Sequence, residues 1–214
     1  MKQLKCGILI TVEGIDGCGK TTFVKKLAEL TAQLMPTLVT KEPGDNSYGP
    51  YIRTMLQEQP APLDPKAEFL LFAADRAQHI TQIVKPALAN KKLVISDRLA
   101  DASVVYQGYA RGLDIDLIKR INTWALDGVT PFRTFFIRID PQTAFERLLA
   151  RKQPLTAFEK QCRDFMERVA AGYETHFAHQ KHVITLDGRD TPDNLANQAL
   201  QKLLEALEHE SSYE

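Results

Sequence analysis

The chain has no excess of charge of either sign. Its 214 residues contain 27 lysines and arginines against 27 aspartates and glutamates, so the formal net charge at pH 7 is zero. A protein that holds a nucleic-acid duplex through many phosphate contacts needs a basic face, which usually shows in the charge balance. The composition therefore argues against nucleic acid as a partner, but it leaves room for a small local anion pocket.

Cysteines and long apolar runs are also scarce. Cys6, Cys18 and Cys162 lie far apart and form no CxxC pair, which excludes the common zinc spacings and a complete set of disulfides. The apolar stretch at residues 6–12 is too short for a signal peptide, and no other segment reaches the length of a membrane span. We therefore expect a cytoplasmic protein with reduced thiols and no membrane partner.

What the chain does contain is an alternation of short apolar runs with amphipathic segments. The runs are residues 7–12, 37–40, 93–96, 133–139 and 182–186. They are rich in β-branched residues and mostly free of charge, which is typical of buried parallel strands. An aspartate or threonine before proline predicts helix starts at Pro65, Pro141 and Pro192, and Pro86 is expected to kink or end the first of these helices.

Strands that alternate with helices predict one α/β domain over residues 1–214. Its core would be a five-stranded parallel sheet flanked by helices on both faces. Ligands of such sheets bind at the carboxyl ends of the strands. The residues that follow each predicted strand are therefore the first place to search for a site.

A glycine-rich turn follows the first predicted strand. Residues 14–21 read GIDGCGKT, a match to the P-loop pattern GxxxxGK followed by serine or threonine. In that pattern backbone N–H groups surround phosphate oxygens, Lys20 reaches the β and γ phosphates, and the Thr21 hydroxyl holds magnesium. A plain glycine turn is the alternative, but the position between a strand and a helix favours a nucleoside triphosphate site. The residues predicted to form it are Gly14, Ile15, Asp16, Gly17, Cys18, Gly19, Lys20, Thr21 and Thr22.

Charged residues follow the other predicted strands as well. The third strand ends in Asp97, which could orient magnesium through water, and Arg98, which could clamp a phosphate. An ordinary solvent-facing ion pair is the alternative for these two residues. Glu42 follows the second strand, where it belongs either to the same site or to a charged turn.

Taken together, these motifs resemble the thymidylate kinase family. The P-loop, Glu42-Pro43-Gly44, Phe72 with Arg76, and Asp97-Arg98 with residues 103–108 have the order and spacing of that family, and the match runs over nearly the whole chain. The resemblance implies the P-loop NTPase fold with a short lid at about residues 147–159. It also implies transfer of the γ-phosphoryl group of magnesium-bound ATP to dTMP, giving dTDP and ADP, and a homodimer.

The resemblance assigns roles to the acceptor residues. Phe72 would stack on the thymine, and Arg76 would donate to thymine O4, where cytosine carries an amino group and would be rejected. Asp16 would accept from the 3′-hydroxyl, and Tyr106 would crowd the 2′ position. Arg98 and Arg53 would clamp the monophosphate, although Arg53 could also be an exposed residue of an amphipathic helix. Glu42 would position magnesium or these two arginines. Taken alone, Phe72 could be a core aromatic and Asp16 a carboxylate that suits a helix N-terminus. The substrate set is Asp16, Glu42, Arg53, Phe72, Arg76, Arg98, Ser103, Tyr106 and Gln107.

Catalysis is expected to rest on placed positive charge, because the acceptor phosphate is already largely dianionic at neutral pH and needs no protein base. Family members carry the key arginine either in the P-loop or in the lid. This chain has Gly17 in the P-loop, so Arg151 is predicted to supply the charge, with a helix-terminal cation as the alternative. The catalytic set is Lys20, Asp97, Arg98 and Arg151, with Thr21 and Asp97 on magnesium.

Some positions depart from the family pattern. Lys41 stands where arginine is usual, Asp45 where glycine is usual, and Leu99 where a ring is common. Ala102 replaces a polar side chain, and residues 156–159 lack the expected Asp-Arg pair. Two alternatives follow: a kinase for another nucleoside monophosphate, or a catalytically silent nucleotide-binding module.

Overall fold

The structure is a computed structural model that describes residues 5–58, 62–151 and 163–211. Within these ranges five strands form one parallel sheet. They are β1 Ile8–Glu13, β2 Thr37–Lys41, β3 Leu93–Asp97, β4 Arg133–Arg138 and β5 Val183–Asp187. Each strand agrees with its predicted apolar run to within one residue, and the order across the sheet is β2-β3-β1-β4-β5. The α/β prediction is confirmed.

The register of the sheet brings the ends of three strands together. Val12 of β1 lies beside Asp97 of β3, and Asp97 lies beside Lys41 of β2. The chain that leaves these strands therefore places the P-loop, the Glu42 turn and Arg98 next to one another. This is the crevice at the carboxyl ends of the strands where ligands of open α/β sheets bind.

Helices cover both faces of the sheet. They are α1 Lys20–Ala32, α2 Gly49–Gln57, α3 Pro65–His79, α4 Lys85–Ala89, α5 Ala100–Ser103, α6 Ile115–Leu126, α7 Pro141–Ala150, α8 Arg163–Phe177 and α9 Pro192–Ser211. The three predicted proline starts are confirmed, and the Asp64 and Asp140 side chains cap α3 and α7 by accepting backbone N–H bonds. Among the described helices, none has both the length and the apolar character that crossing a bilayer requires.

Successive strand residues feed two separate cores, because side chains alternate between the faces of a sheet. Ile10 and Ile95 face a large cluster that includes buried residues of α1, α8 and α9. Leu9 and Val94 face the other side, where a smaller cluster contains apolar residues of the segment Ile80–Val84. Both faces of β1 are thus buried. Gly14, which follows the last residue of β1, therefore starts the turn at the crevice from a rigid strand.

Pro86 does not end the helical path that begins at Pro65. A π-helical segment, Ile80–Val84, follows α3, and α4 continues the path past Pro86 to Ala89. A proline has no N–H to donate and its ring crowds the carbonyl one turn earlier. In the wider π-helical turn before Pro86, the Lys85 N–H donates to the Ile80 carbonyl oxygen. This turn accommodates the missing donor and the ring of Pro86 without ending the helix.

Candidate active site

A cavity of about 690 Å³ opens at the carboxyl ends of β1, β2 and β3. The predicted site residues that line it are Asp16, Gly17, Gly19, Lys20, Thr21, Thr22, Glu42, Arg53, Phe72, Arg76, Asp97, Arg98, Ser103, Tyr106, Gln107 and Arg151. The side chains of Ile15 and Cys18 point instead into the core, where both are buried. These two residues, like Gly14, contribute to the P-loop through their backbone.

The P-loop is wound around its own lysine. The Lys20 ammonium donates to the carbonyl oxygens of Gly14 and Ile15, each at 3.0 Å. Gly17 has φ 85°, and a Cβ there would lie 2.2 Å from the Ala144 carbonyl oxygen of α7. No side chain can occupy position 17 without moving α7, so an arginine cannot stand at this position of the P-loop in this structure.

Thr21 and Asp97 meet across the crevice. The Thr21 hydroxyl donates to Asp97 Oδ2 at 3.2 Å, so one hydroxyl and one carboxylate oxygen converge at the start of α1. Such hard oxygen ligands suit magnesium. In the described ranges no group of three or more His, Cys, Asp or Glu side chains could hold a metal ion. A metal at this place would complete its shell with water and phosphate oxygens, as magnesium does with nucleotides.

The Arg98 guanidinium lies between the P-loop and the acceptor side. Its Nη1 donates to the Gly14 carbonyl oxygen and to the Tyr173 hydroxyl, both at 3.1 Å. Its Nη2 donates to Asp16 Oδ1 at 2.5 Å and to the Tyr106 hydroxyl at 3.1 Å. The predicted clamp is therefore already oriented by four partners, one of which belongs to the P-loop backbone.

Asp16 is held ionised by its neighbours. Burial opposes the charge of this carboxyl, but the positive charges of Arg98 and Lys20 outweigh burial and lower its pKa. The Tyr106 hydroxyl donates to Asp16 Oδ2 at 3.0 Å. The structure thus brings together the two residues predicted to contact the sugar, and it presents an acceptor at the wall of the cavity.

Arg76 is buried and tightly surrounded. Its Nη1 donates to Asn122 Oδ1 at 2.7 Å, and its Nη2 donates to the Leu99 carbonyl oxygen and to Ser103 Oγ at 3.1 and 3.2 Å. Its Nε lies 3.0 Å from Glu42 Oε2 without the alignment of a hydrogen bond, so this contact is an ion pair. The guanidinium cannot turn without breaking contacts to three separate parts of the chain.

The Glu42 carboxylate is held in place by a buried histidine. Its Oε1 lies 2.9 Å from His79 Nδ1, and His79 Nε2 lies 2.7 Å from Thr40 Oγ1. Asp75, next to Arg76, accepts a hydrogen bond from the Asn46 amide nitrogen. Burial, together with the charge of Glu42, raises the pKa of Asp75 to about 6. The turn after β2 is therefore tied to α3 through buried polar groups rather than being a solvated charged turn.

Phe72 and Gln107, two further residues of the predicted substrate set, also line the cavity. Phe72 is half-buried and lines the cavity, whereas Phe69 of the same helix is in the core, so the core alternative applies to Phe69. The Gln107 amide nitrogen donates to buried Glu68 at 2.8 Å. That bond fixes which end of the amide faces Glu68 and directs the carbonyl end elsewhere.

Three further arginines line the cavity. Arg53 Nη1 donates to the Pro43 carbonyl oxygen at 3.0 Å, and Arg147 Nη1 donates to the Gly188 carbonyl oxygen at 2.8 Å. Arg151 follows the last turn of α7 and also lines the cavity. The predicted lid residues 152–159 lie outside the described residues.

Comparisons with known proteins show the family of this chain. A family model described as thymidylate kinase matches residues 12–199. The chain belongs to the thymidylate kinase family. A thymidylate kinase of Exiguobacterium is 36% identical over 205 residues, which cover 94% of this chain and 96% of that protein. One of Halothermothrix orenii is 46% identical over 135 residues, just under two thirds of either protein at 63% and 65%.

A solved structure shows the same fold. The crystal structure of thymidylate kinase from Ehrlichia chaffeensis matches with a TM-score of 0.75 and 30% identity, covering 92% of this chain and 99% of that one. The prediction of the family from the order of the motifs is confirmed. As a member of the thymidylate kinase family, the protein is a phosphotransferase.

Sequence reasoning missed two buried residues beside the family's Asp-Arg motif. Glu13 Oε1 accepts the Leu99 N–H at 2.9 Å, and Glu13 Oε2 accepts the Tyr173 hydroxyl at 2.8 Å. Burial raises the pKa of Glu13 to about 7, although the charge of Arg98 opposes the rise. A charged residue at the end of an apolar strand was the available signal for Glu13; nothing local marks Tyr173.

Proposed function

We propose that the enzyme transfers the γ-phosphoryl group of magnesium-bound ATP to dTMP, giving dTDP and ADP. The observation that carries this proposal is a single cavity that joins the P-loop residues Lys20 and Thr21 to Phe72 and Arg76 of α3. A triphosphate and a thymine nucleotide can occupy such a cavity end to end. This is the arrangement that direct transfer between two phosphates requires.

On the donor side, the triphosphate would replace the carbonyl oxygens that now accept from Lys20. Backbone N–H groups and the N-terminus of α1 add donors for the phosphate oxygens. Thr21 and Asp97 supply the oxygens that would hold magnesium, which neutralises charge on the β and γ phosphates when bound. The P-loop would therefore bind and orient the donor before any acceptor arrives.

On the acceptor side, the base would lie against the ring of Phe72. Among the described residues, Asn122, Leu99 and Ser103 take three of the four N–H groups at Nη1 and Nη2 of Arg76. One N–H then serves thymine O4, and its orientation is set before the ligand binds. A cytosine would present its own donor to this N–H and lose the bond, which favours thymine.

The sugar and the phosphate would be held by the remaining groups. Asp16 would accept the 3′-hydroxyl, with Tyr106 beside the 2′ position, while Arg98 and Arg53 would clamp the monophosphate. Arg151 would supply positive charge over the transferring group. No side chain is needed as a base, so positioning and charge account for the rate.

The test is ADP release against a panel of dTMP, dUMP, dCMP and dGMP. We expect dTMP to have the highest kcat/KM, Arg76→Ala and Arg76→Met to lower the ratio of dTMP to dCMP at least tenfold, and exposed Arg120→Ala to leave it unchanged. Lys20→Ala should abolish turnover. Equal use of dCMP and dTMP by the parent would indicate another monophosphate kinase, and ATP binding without any transfer would indicate a silent module.

We further propose a homodimer and a lid at about residues 147–159 within one domain. Support for a dimer comes from α3 and α6, which pack together and expose Leu70, Leu117 and Trp124, the last at 80%. Trp124→Glu is expected to halve the mass in light scattering.

The free thiols of Cys6 and Cys18 suit a reducing compartment, so we assign the enzyme to the cytoplasm.

A further inference from the structure

The backbone at Arg98 adopts a conformation that an arginine does not choose by itself. Its φ is 73°, in the left-handed region. Three hydrogen bonds hold the turn: the Arg98 N–H donates to the Val12 carbonyl oxygen, Ser96 Oγ donates to the Arg98 carbonyl oxygen, and the Leu99 N–H donates to Glu13 Oε1. Surrounding groups must over-determine such a conformation for it to persist.

The Glu13 carboxylate also holds the side chain of Arg98, through the Tyr173 hydroxyl. Arg98 Nη1 donates to the Tyr173 hydroxyl at 3.1 Å, and that hydroxyl donates to Glu13 Oε2 at 2.8 Å. One oxygen of Glu13 therefore fixes the peptide after Arg98, and the other fixes the partner of its guanidinium. Because Glu13 directly precedes Gly14, these hydrogen bonds also fix the position of Arg98 relative to the P-loop.

The Tyr173 hydroxyl has a location set by the core. Its ring is fully buried in α8 and stacks on Phe136 of β4 with centroids 5.3 Å apart. At the preceding residue, Gly172, an added Cβ would lie 2.8 Å from Tyr109 Cβ, so α8 approaches its neighbour closely. Burial raises the pKa of Tyr173, which keeps its proton available to Glu13.

We propose that Glu13 and Tyr173 are positioning residues that hold the Arg98 guanidinium at a set distance from the P-loop. Neither is among the described residues that line the cavity, so both would act through Arg98 and not on the substrates. The inference rests on the proposed function, in which Arg98 clamps the phosphate that receives the transferring group. A clamp that moved relative to the donor would lose the in-line geometry that transfer needs.

Tyr173→Phe is the sharpest perturbation, because it removes one oxygen and leaves the ring packing in place. We expect kcat for dTMP to fall about tenfold, with the KM for ATP changed less than twofold. Tyr109→Phe removes a hydroxyl from the π-helical segment Val104–Ala110, which packs against α8. It is the matched control and should change kcat less than twofold. Glu13→Gln should also lower kcat, because its amide has one acceptor oxygen for the two donors, the Leu99 N–H and the Tyr173 hydroxyl.

A double-mutant cycle separates positioning from general structural damage. In an Arg98→Lys background, Tyr173→Phe should change kcat less than twofold, because the effect passes through the guanidinium. An equal loss in both backgrounds would overturn the proposal. So would an unchanged kcat in Tyr173→Phe alone.

A measurement without substrate keeps the inference separate from the proposed function. The Arg98 Nε–H signal in the NMR spectrum, assigned by its loss in Arg98→Lys, should shift and broaden in Tyr173→Phe as the guanidinium becomes mobile. If that occurs while the wild type fails to phosphorylate dTMP, the proposed function is wrong and the inference stands. If the signal is unchanged while dTMP is phosphorylated, only the inference is wrong.

Discussion

Replacing Glu13 by glutamine should change how the stability of the enzyme depends on pH. Burial raises the pKa of this carboxyl from 4.5 to about 7. The folded chain therefore binds the proton more tightly than the unfolded chain does. The resulting stabilisation is complete below about pH 4.5 and is lost as the pH rises to about 7. Since a change of one in pKa corresponds to about 1.4 kcal/mol, the free energy of unfolding should fall by about 3 kcal/mol across this window.

Glutamine cannot titrate, so Glu13→Gln should lack this fall. Asp75 also has a raised pKa, at about 6, but it is present in both proteins and drops out of the difference between them. The assay is urea unfolding at pH 4.5, 5.5, 6.5 and 7.5 followed by far-UV circular dichroism, because the single tryptophan, Trp124, is too exposed to report on the core. A difference that stays constant within about 0.5 kcal/mol over these pH values would refute the reasoning.

Gly17→Ala should lower the free energy of unfolding by more than ~3 kcal/mol, because its Cβ would meet the Ala144 carbonyl. Gly19→Ala, at φ 98° with no atom within 4 Å of the added Cβ, should cost only ~1 kcal/mol; equal losses in urea unfolding would contradict this contrast. Arg151→Ala should lower kcat more than tenfold with little change in KM. Turnover within about threefold, a loss under ~1 kcal/mol, would mean that another cation acts.

The fold and the composition of the site could be predicted to a large extent from local patterns. The P-loop sequence, the apolar runs and the proline caps each act over a few residues, so one sequence shows them directly. The cavity then gathers residues that the family resemblance had named, including Phe72 and Arg76, which lie on one face of α3. The spacing of four residues was sufficient to place both at the same wall.

The supporting contacts could not be predicted, because they join distant parts of the chain. Glu13 and Tyr173 are 160 positions apart, and Arg76 and Asn122 are 46 apart. Only the strand order and the path of α6 and α8 bring these pairs together, and neither follows from local periodicity. The π-helical segment Ile80–Val84 was missed for a different reason: a proline predicts a misfit, but not whether the chain breaks or widens to absorb it.

The Gly14 carbonyl oxygen accepts both from the Lys20 ammonium and from Arg98 Nη1. If the proposed triphosphate draws the ammonium away, this oxygen would be left to the arginine alone, and that contact would strengthen. Donor binding at the P-loop would then alter the arginine proposed to clamp the acceptor. By thermodynamic reciprocity, any such coupling would change the affinity for the donor by the same factor as it changes the affinity for the acceptor.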